Sequence, residues 1–260
     1  MPMALYLKLL QESCLWIHTI QFFFQGEPLL NPQLPDMIRE ARERHIYTIV
    51  STNAQSLTRT LAHDLIAAGL NRIIVSLDGL TEESYTAYRK GGSLQRTLEG
   101  LKYLREAKTE LQQSTTIELQ CLLLKSNEHE WNLFRRDYKK MGADRLTFKT
   151  AQFYDYTNGN PLMPSDSAYC RYTLGNDGKY HPRNRLQKNK SICRRLMTGC
   201  VINANGDVLP CCFDKNGQYR FGNIAEQSLK DCWQSKVAEH FRETVFSNSY
   251  PFPICQNCTE

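Results

Sequence analysis

Along roughly the first 150 residues the apolar positions switch between two periods, one helical and one of short continuous runs. Leu5, Leu9, Leu10 and Leu15 line one face of a helix predicted over residues 3–15. The run from Thr19 to Phe24 predicts a strand, ended by Gln25-Gly26-Glu27-Pro28. The same logic predicts a helix at 33–45, a strand from Ile46 to Ser51 and a helix at 57–68 that Gly69 closes. A strand from Arg72 to Leu77 ends in Asp78-Gly79, and helices follow at 81–89 and 93–108. Residues 116–124 predict a strand, 128–141 a helix and 144–150 a fifth strand.

The strands are apolar runs rather than strict alternations, as expected for a parallel sheet covered by helices. Polar residues collect just after their carboxyl ends, where parallel α/β folds bind ligands. Residues 152–190 lose this periodicity: Asn158-Gly159-Asn160-Pro161 and Gly175-Asn176-Asp177-Gly178 are turn chemistry, read as a linker across the barrel mouth. Further on, Cys200 to Asn203 and Asp207 to Cys211 form a predicted hairpin around Asn205-Gly206, with a helix at roughly 228–241.

The expected fold is α/β: a partial parallel (β/α) TIM-type barrel over 1–151, the linker, and a small α+β cysteine-rich domain over 191–260. Composition excludes several classes. At 41% hydrophobic and 23% charged, the chain is neither a disordered tail nor a fibrous repeat. The longest apolar candidate, Trp16 to Phe24, is broken by His18 and Gln21, so no membrane span is expected. A net charge of +5 does not suggest nucleic acid.

The cysteines change the picture. Of 10, only Cys14 and Cys121 precede residue 160. Clustering of the rest toward one end of a leaderless chain favours a metal or iron–sulfur site in a reducing compartment, the cytoplasm. Cys193 is followed by Gly206, Cys211 and the pair Cys255 and Cys258, which makes four thiolates for an iron–sulfur cluster or zinc. Cys211 and Cys212 are neighbours on a strand and point to opposite faces, so one of them is expected as a ligand.

This last stretch resembles the SPASM/twitch domain of radical S-adenosylmethionine (radical SAM) enzymes, through the Cys193…Gly206…Cys211 spacing, Gly222-Asn223-Ile224, Ser228-Leu229…Trp233 and the closing Cys255-Gln256-Asn257-Cys258. The resemblance implies one auxiliary [4Fe-4S] cluster on Cys193, Cys211, Cys255 and Cys258, with Cys200 and Cys212 as spare candidates. Full domains of this kind carry seven cysteines for two clusters. Spacing alone leaves zinc open.

The first region resembles the radical SAM barrel in matching order: Gln25-Gly26-Glu27-Pro28, Ser51-Thr52-Asn53, Ser76-Leu77-Asp78-Gly79 and Tyr88-Arg89-Lys90-Gly91-Gly92. The resemblance implies S-adenosylmethionine binding by Gly26, Glu27, Asn53, Ser76, Asp78 and Arg89. Glu27 would meet the methionyl ammonium, the small polar side chains the ribose, and Arg89 the cofactor carboxylate. It also implies an oxidoreductase that reductively cleaves S-adenosylmethionine and abstracts hydrogen from a peptide or small molecule, with an electron-donor protein as partner.

The family's Cys-x-x-x-Cys-x-x-Cys loop is missing, and Cys14 stands alone in a helix. The expectation is that the first strand and its loop lie upstream of this chain, which as written does not cleave the cofactor. The alternative is a non-catalytic iron–sulfur or zinc module for binding or electron transfer. Two features stay open between function and plain solvation. One is the basic run of Arg183, Arg185, Lys188, Lys190, Arg194 and Arg195; the other is Lys149 in the last strand.

Overall fold

The computed structural model describes residues 1–183, 193–247 and 252–258. They fall into two compact units, His18–Arg171 and a second made of Met1–Ile17 with Tyr172–Glu260.

Five parallel strands build the first unit: β1 (Thr19–Gln21), β2 (Tyr47–Thr52), β3 (Arg72–Ser76), β4 (Thr116–Leu123) and β5 (Arg145–Thr150), side by side in chain order. Between them lie helices α2 (Leu34–Glu43), α3 (Arg59–Ala67), α4 (Glu82–Tyr88), α5 (Leu94–Glu110) and α6 (Trp131–Asp137); α1 (Met3–Ser13) precedes β1. Strand residues of one parity, Val50, Ile73, Val75, Ile117, Leu119 and Cys121, enter the core with Ile38, Leu65, Leu101, Leu104 and Phe134 of the helices. The other parity leaves Ser51, Ser76, Gln120 and Thr147 half-buried. This is the α/β architecture expected from the period of the apolar runs.

Some boundaries shift for local reasons. β1 is three residues long, and beyond it Phe22 N still donates to Ile49 O (2.8 Å) before the Gly26 turn, where φ is +78°. The helix expected over 128–141 begins as a 3-10 turn, Lys125–Glu130. There the buried Asn127 side chain accepts from Leu124 N at 3.1 Å and from the Trp131 indole at 2.8 Å.

Asp144 ties β5 to α5 and β4. Burial alone would raise its carboxyl, but Lys108 Nζ (2.7 Å), Ile117 N (2.8 Å) and Arg105 Nη2 (2.9 Å) hold it below the ordinary 3.8. A depressed acid stabilises the fold above its unfolded pKa, and that contribution disappears as pH falls through the folded one. Asp144→Asn is therefore expected to cost about 1 kcal/mol at about pH 7, and close to nothing at about pH 2, in paired urea titrations.

In the second unit α1 packs with the C-terminal elements. Its Leu9 is in one core with Leu196, Val208, Ile224 and Phe241, and Lys8 Nζ donates to Ile224 O at 2.8 Å. The sequence had grouped this helix with residues 1–151; its apolar partners lie some two hundred positions away. Residues 172–182, expected to be irregular, contain a hairpin, β6 (Tyr172–Leu174) with β7 (Tyr180–Pro182), turned by Gly175 and by Gly178 at φ +74°.

After α7 (Arg194–Thr198), strands β8 (Val201–Ile202), β9 (Asp207–Leu209) and β10 (Gly222–Asn223) make an antiparallel sheet ordered β10-β9-β8. The predicted turn is present, with Gly206 at φ +94° and Asn223 Oδ1 2.8 Å from where a Cβ would sit. The single helix expected over 228–241 is two, α8 (Leu229–Trp233) and α9 (Lys236–Ser247), followed by α10 (Pro253–Gln256). Ser235 makes the break: its hydroxyl donates to Phe221 O (3.0 Å) and accepts from Ala238 N (3.2 Å), so it starts the second helix. Among the described residues no helix is long and apolar enough to cross a membrane.

Candidate functional site

The first unit gathers its candidates at the carboxyl edge of the sheet. Glu27 follows the Gly26 turn and is half-buried. Its Oε1 accepts from Thr52 Oγ1 at 2.6 Å and Leu29 N at 3.2 Å, and its Oε2 from Asn53 N at 3.0 Å. Each carboxylate oxygen offers two lone-pair sites, so Oε2 keeps one for a cation or donor. A Cβ on Gly26 would meet nothing within 4 Å, so the backbone beside Glu27 faces open space.

Asn53 ends β2 and folds back on itself, its Oδ1 accepting from Gln55 N at 2.9 Å. Ala54 follows at φ 59°, unusual for a residue with a side chain. Ser76 closes β3 one register step from Thr52, which pairs Val75, and is half-buried.

Asp78 is not placed as a free ligand. It is fully buried, its Oδ2 accepting from Arg89 Nε at 2.6 Å and its Oδ1 from Leu122 N at 2.7 Å. Burial pushes its carboxyl up, and the Arg89 guanidinium beside it works in the opposite direction. Arg89, three-quarters buried at the end of α4, thus has its Nε engaged. Asn127 Nδ2 donates to Asp78 O and to Leu122 O, both at 2.9 Å, locking the turn from below.

Sequence patterns missed Thr52, Asn127 and Gln55, all of which position the candidates. Thr52 alone carried a signal, lying between Ser51 and Asn53. Lys149 is exposed, in register with Leu122.

In the second unit four thiols come together. Cys193 precedes α7, Cys211 follows β9, and Cys255 and Cys258 bracket the end of α10, with Cys258 N donating to Cys255 O at 3.1 Å. Cys258 and Cys193 are near enough to Cys255 to disfavour its ionisation, and Cys255 is near enough to Cys211 to do the same there. Burial pushes Cys255 to about 11, with repulsion from Cys258 and Cys193 added, and Cys211 to about 12, with repulsion from Cys212 and Cys255 added. Backbone N–H groups of Phe213 and Asp214 offset part of that at Cys211.

Asp214, buried, accepts from Gln218 N and Tyr219 N at 2.9 Å each and so shapes the loop behind Cys211. Cys212 is itself near enough to Cys211 to disfavour its ionisation, and accepts from Arg195 Nη1 at 3.3 Å. Cys200 is raised to about 12 by burial, with a smaller push from the Cys232 thiol.

Among the described residues no three such groups converge on a single ion. A cubane cluster asks for something different, one thiolate on each of four irons, so the sulfurs must be neighbours around a volume rather than around a point. Thiols brought from three segments, with backbone N–H groups beside Cys211 and Cys255, are a donor set suited to a cationic iron–sulfur core. Of the basic run, Arg185, Lys188 and Lys190 lie outside the described residues; Arg194 and Arg195 are exposed.

Comparison with known proteins agrees with both halves. Residues 16–134 match the model of the radical SAM superfamily, and residues 193–259 match that of an iron-sulfur cluster-binding domain, SPASM. The AdoMet-dependent heme synthase of Methanosarcina barkeri is 34% identical over 84% of this chain and 68% of its own length. The PqqA peptide cyclase of Granulibacter bethesdensis is 24% identical over 97% of this chain and 70% of its own. The crystal structure of Streptococcus suis SuiB bound to S-adenosylmethionine superposes with a TM-score of 0.69 at 17% identity, covering all of this chain and 65% of that one.

Proposed function

Because this chain belongs to the radical SAM superfamily and carries its SPASM iron–sulfur domain, we propose that the His18–Arg171 unit binds S-adenosylmethionine. We propose further that Cys193, Cys211, Cys255 and Cys258 hold one auxiliary [4Fe-4S] cluster. Iron–sulfur clusters and S-adenosylmethionine are the cofactors of this family. The observation that carries the first assignment is the Glu27 carboxylate, fixed by three protein donors with one acceptor site left over at an open backbone.

On this reading Glu27 Oε2 and the Gly26 backbone take the methionyl ammonium, since an ammonium needs acceptors and close approach. Asn53 and Ser76 present small polar groups to the ribose. Asp78, with both oxygens occupied, acts through Arg89: it holds the guanidinium so that the terminal nitrogens meet the cofactor carboxylate. In the second unit the four thiolates anchor the cluster, which when bound supplies one-electron chemistry or a substrate-binding iron.

The reaction class supported is oxidoreductive hydrogen abstraction, with a peptide or a small molecule as substrate and an electron-donor protein as partner. The names of the two relatives, a peptide cyclase and a heme synthase, support both substrate classes. Free thiols point to a reducing compartment, the cytoplasm. These 260 residues contain no Cys-x-x-x-Cys-x-x-Cys triplet, so the polypeptide tested as such binds the cofactor without cleaving it.

Calorimetric binding of S-adenosylhomocysteine tests the cofactor half. Glu27→Gln loses the charge and turns an N–H toward donors it should accept from, so binding is expected to weaken about tenfold to a hundredfold. Unchanged affinity would remove Glu27 from the site.

A further inference from the structure

Gln55 lies just after the left-handed Ala54, and all of its side-chain amide is engaged with protein. Oε1 accepts from Ser93 N at 2.9 Å. Nε2 faces Thr97 Oγ1 at 2.8 Å, Ser93 O at 3.0 Å, Tyr85 OH at 3.1 Å and Asn53 O at 3.4 Å, four acceptors shared by two N–H bonds. Tyr85 and Thr97 are fully buried, with hydroxyls 3.0 Å apart, and Thr97 Oγ1 also reaches Asn53 O at 3.3 Å.

The partners fall on two sides. Asn53 is the residue whose N–H bonds Glu27. Tyr85 belongs to α4, and its carbonyl accepts from Arg89 N at 2.9 Å. One amide therefore spans from the turn that fixes Glu27 to the helix that ends in Arg89. Other close contacts leave this joint little play. At Gly100 of α5 a Cβ would stand 3.1 Å from the Ala54 Cβ, and at Gly92 one would stand 3.0 Å from the Tyr85 ring.

We propose that Gln55 is a positioning residue for S-adenosylmethionine, setting the separation between the Glu27–Asn53 arm and the Arg89 arm. The inference rests on the reading that these two arms bind that cofactor. A side chain that only stabilised the fold would change melting and leave affinity in the folded state alone. A side chain that sets the span must change affinity, and only while both arms grip the ligand.

The test measures S-adenosylhomocysteine affinity at a temperature where circular dichroism shows every variant folded. The proteins are wild type, Gln55→Met, Tyr85→Phe, Arg89→Ala and the double variant Gln55→Met/Arg89→Ala. Gln55→Met, of similar length but without the amide, is expected to weaken binding about tenfold, and Tyr85→Phe about threefold. In the Arg89→Ala background the Gln55→Met effect should shrink to under about threefold, since one arm no longer touches ligand. Equal affinity of Gln55→Met and wild type, or the same loss in both backgrounds, overturns the inference and leaves the binding reading standing. If Gln55→Met does not fold, the Tyr85→Phe measurement decides alone, and unchanged affinity there overturns it. A wild type that binds no S-adenosylhomocysteine overturns the cofactor reading and this inference together.

Discussion

Gly79→Ala is expected to destabilise the His18–Arg171 unit by about 3 kcal/mol or more, near the top of the range for a single added methyl group. A Cβ at this position would lie 2.3 Å from Tyr85 N and 2.5 Å from Ser84 Oγ, inside contact distance of a helix start that has nowhere to go. Ser84 and Thr81 form the capping box that opens α4, and Ser84 Oγ also donates to the buried Glu130 at 2.8 Å. Moving α4 to make room would break these bonds and draw Arg89 away from Asp78. In a unit of this size the loss corresponds to a fall in Tm of about 6–12 °C. Gly91→Ala is the control: φ is +74° but nothing lies within 4 Å of the new Cβ, so its cost is only the left-handed penalty of about 1 kcal/mol. Equal melting of the two variants would contradict the close approach.

The second large effect concerns the thiols. Cys255→Ala is expected to abolish iron incorporation almost completely, because Cys255 is the thiol near the other three and a cubane with one corner unligated is labile. Alanine at Cys193, Cys211 or Cys258 should act alike. Cys200→Ala and Cys232→Ala should retain full iron, since the thiol that bears on Cys200 is Cys232 rather than one of the four. They touch the apolar core instead, so their cost should appear in melting. Iron analysis of the six variants after anaerobic reconstitution separates the sets, and loss of iron in Cys200→Ala would reassign the ligands.

The alternation of apolar runs was enough to read the parallel sheet, because each strand buries one parity under helices whatever lies elsewhere in the chain. The same local logic found the Gly206 turn and the thiol spacing. It failed where a partner is distant in sequence. Leu9 looks like a helix face in either unit, and only Val208 and Ile224 say which core it joins. Ser235 reads as one more helical position until its hydroxyl is seen on Phe221 O.

At the candidate site the charges were visible but their pairing was not. Asp78 and Arg89, eleven residues apart, each looked available to a ligand; in the fold each takes up part of the other's capacity. Gln55 carried no signal because an amide's importance lies in what surrounds it.

Iron, acid-labile sulfide and zinc per chain, measured on the wild-type protein after anaerobic reconstitution, test the central claim most directly. The account predicts about four iron and about four sulfide with no zinc, one auxiliary cluster on Cys193, Cys211, Cys255 and Cys258. A colourless protein holding about one zinc and no sulfide would contradict it.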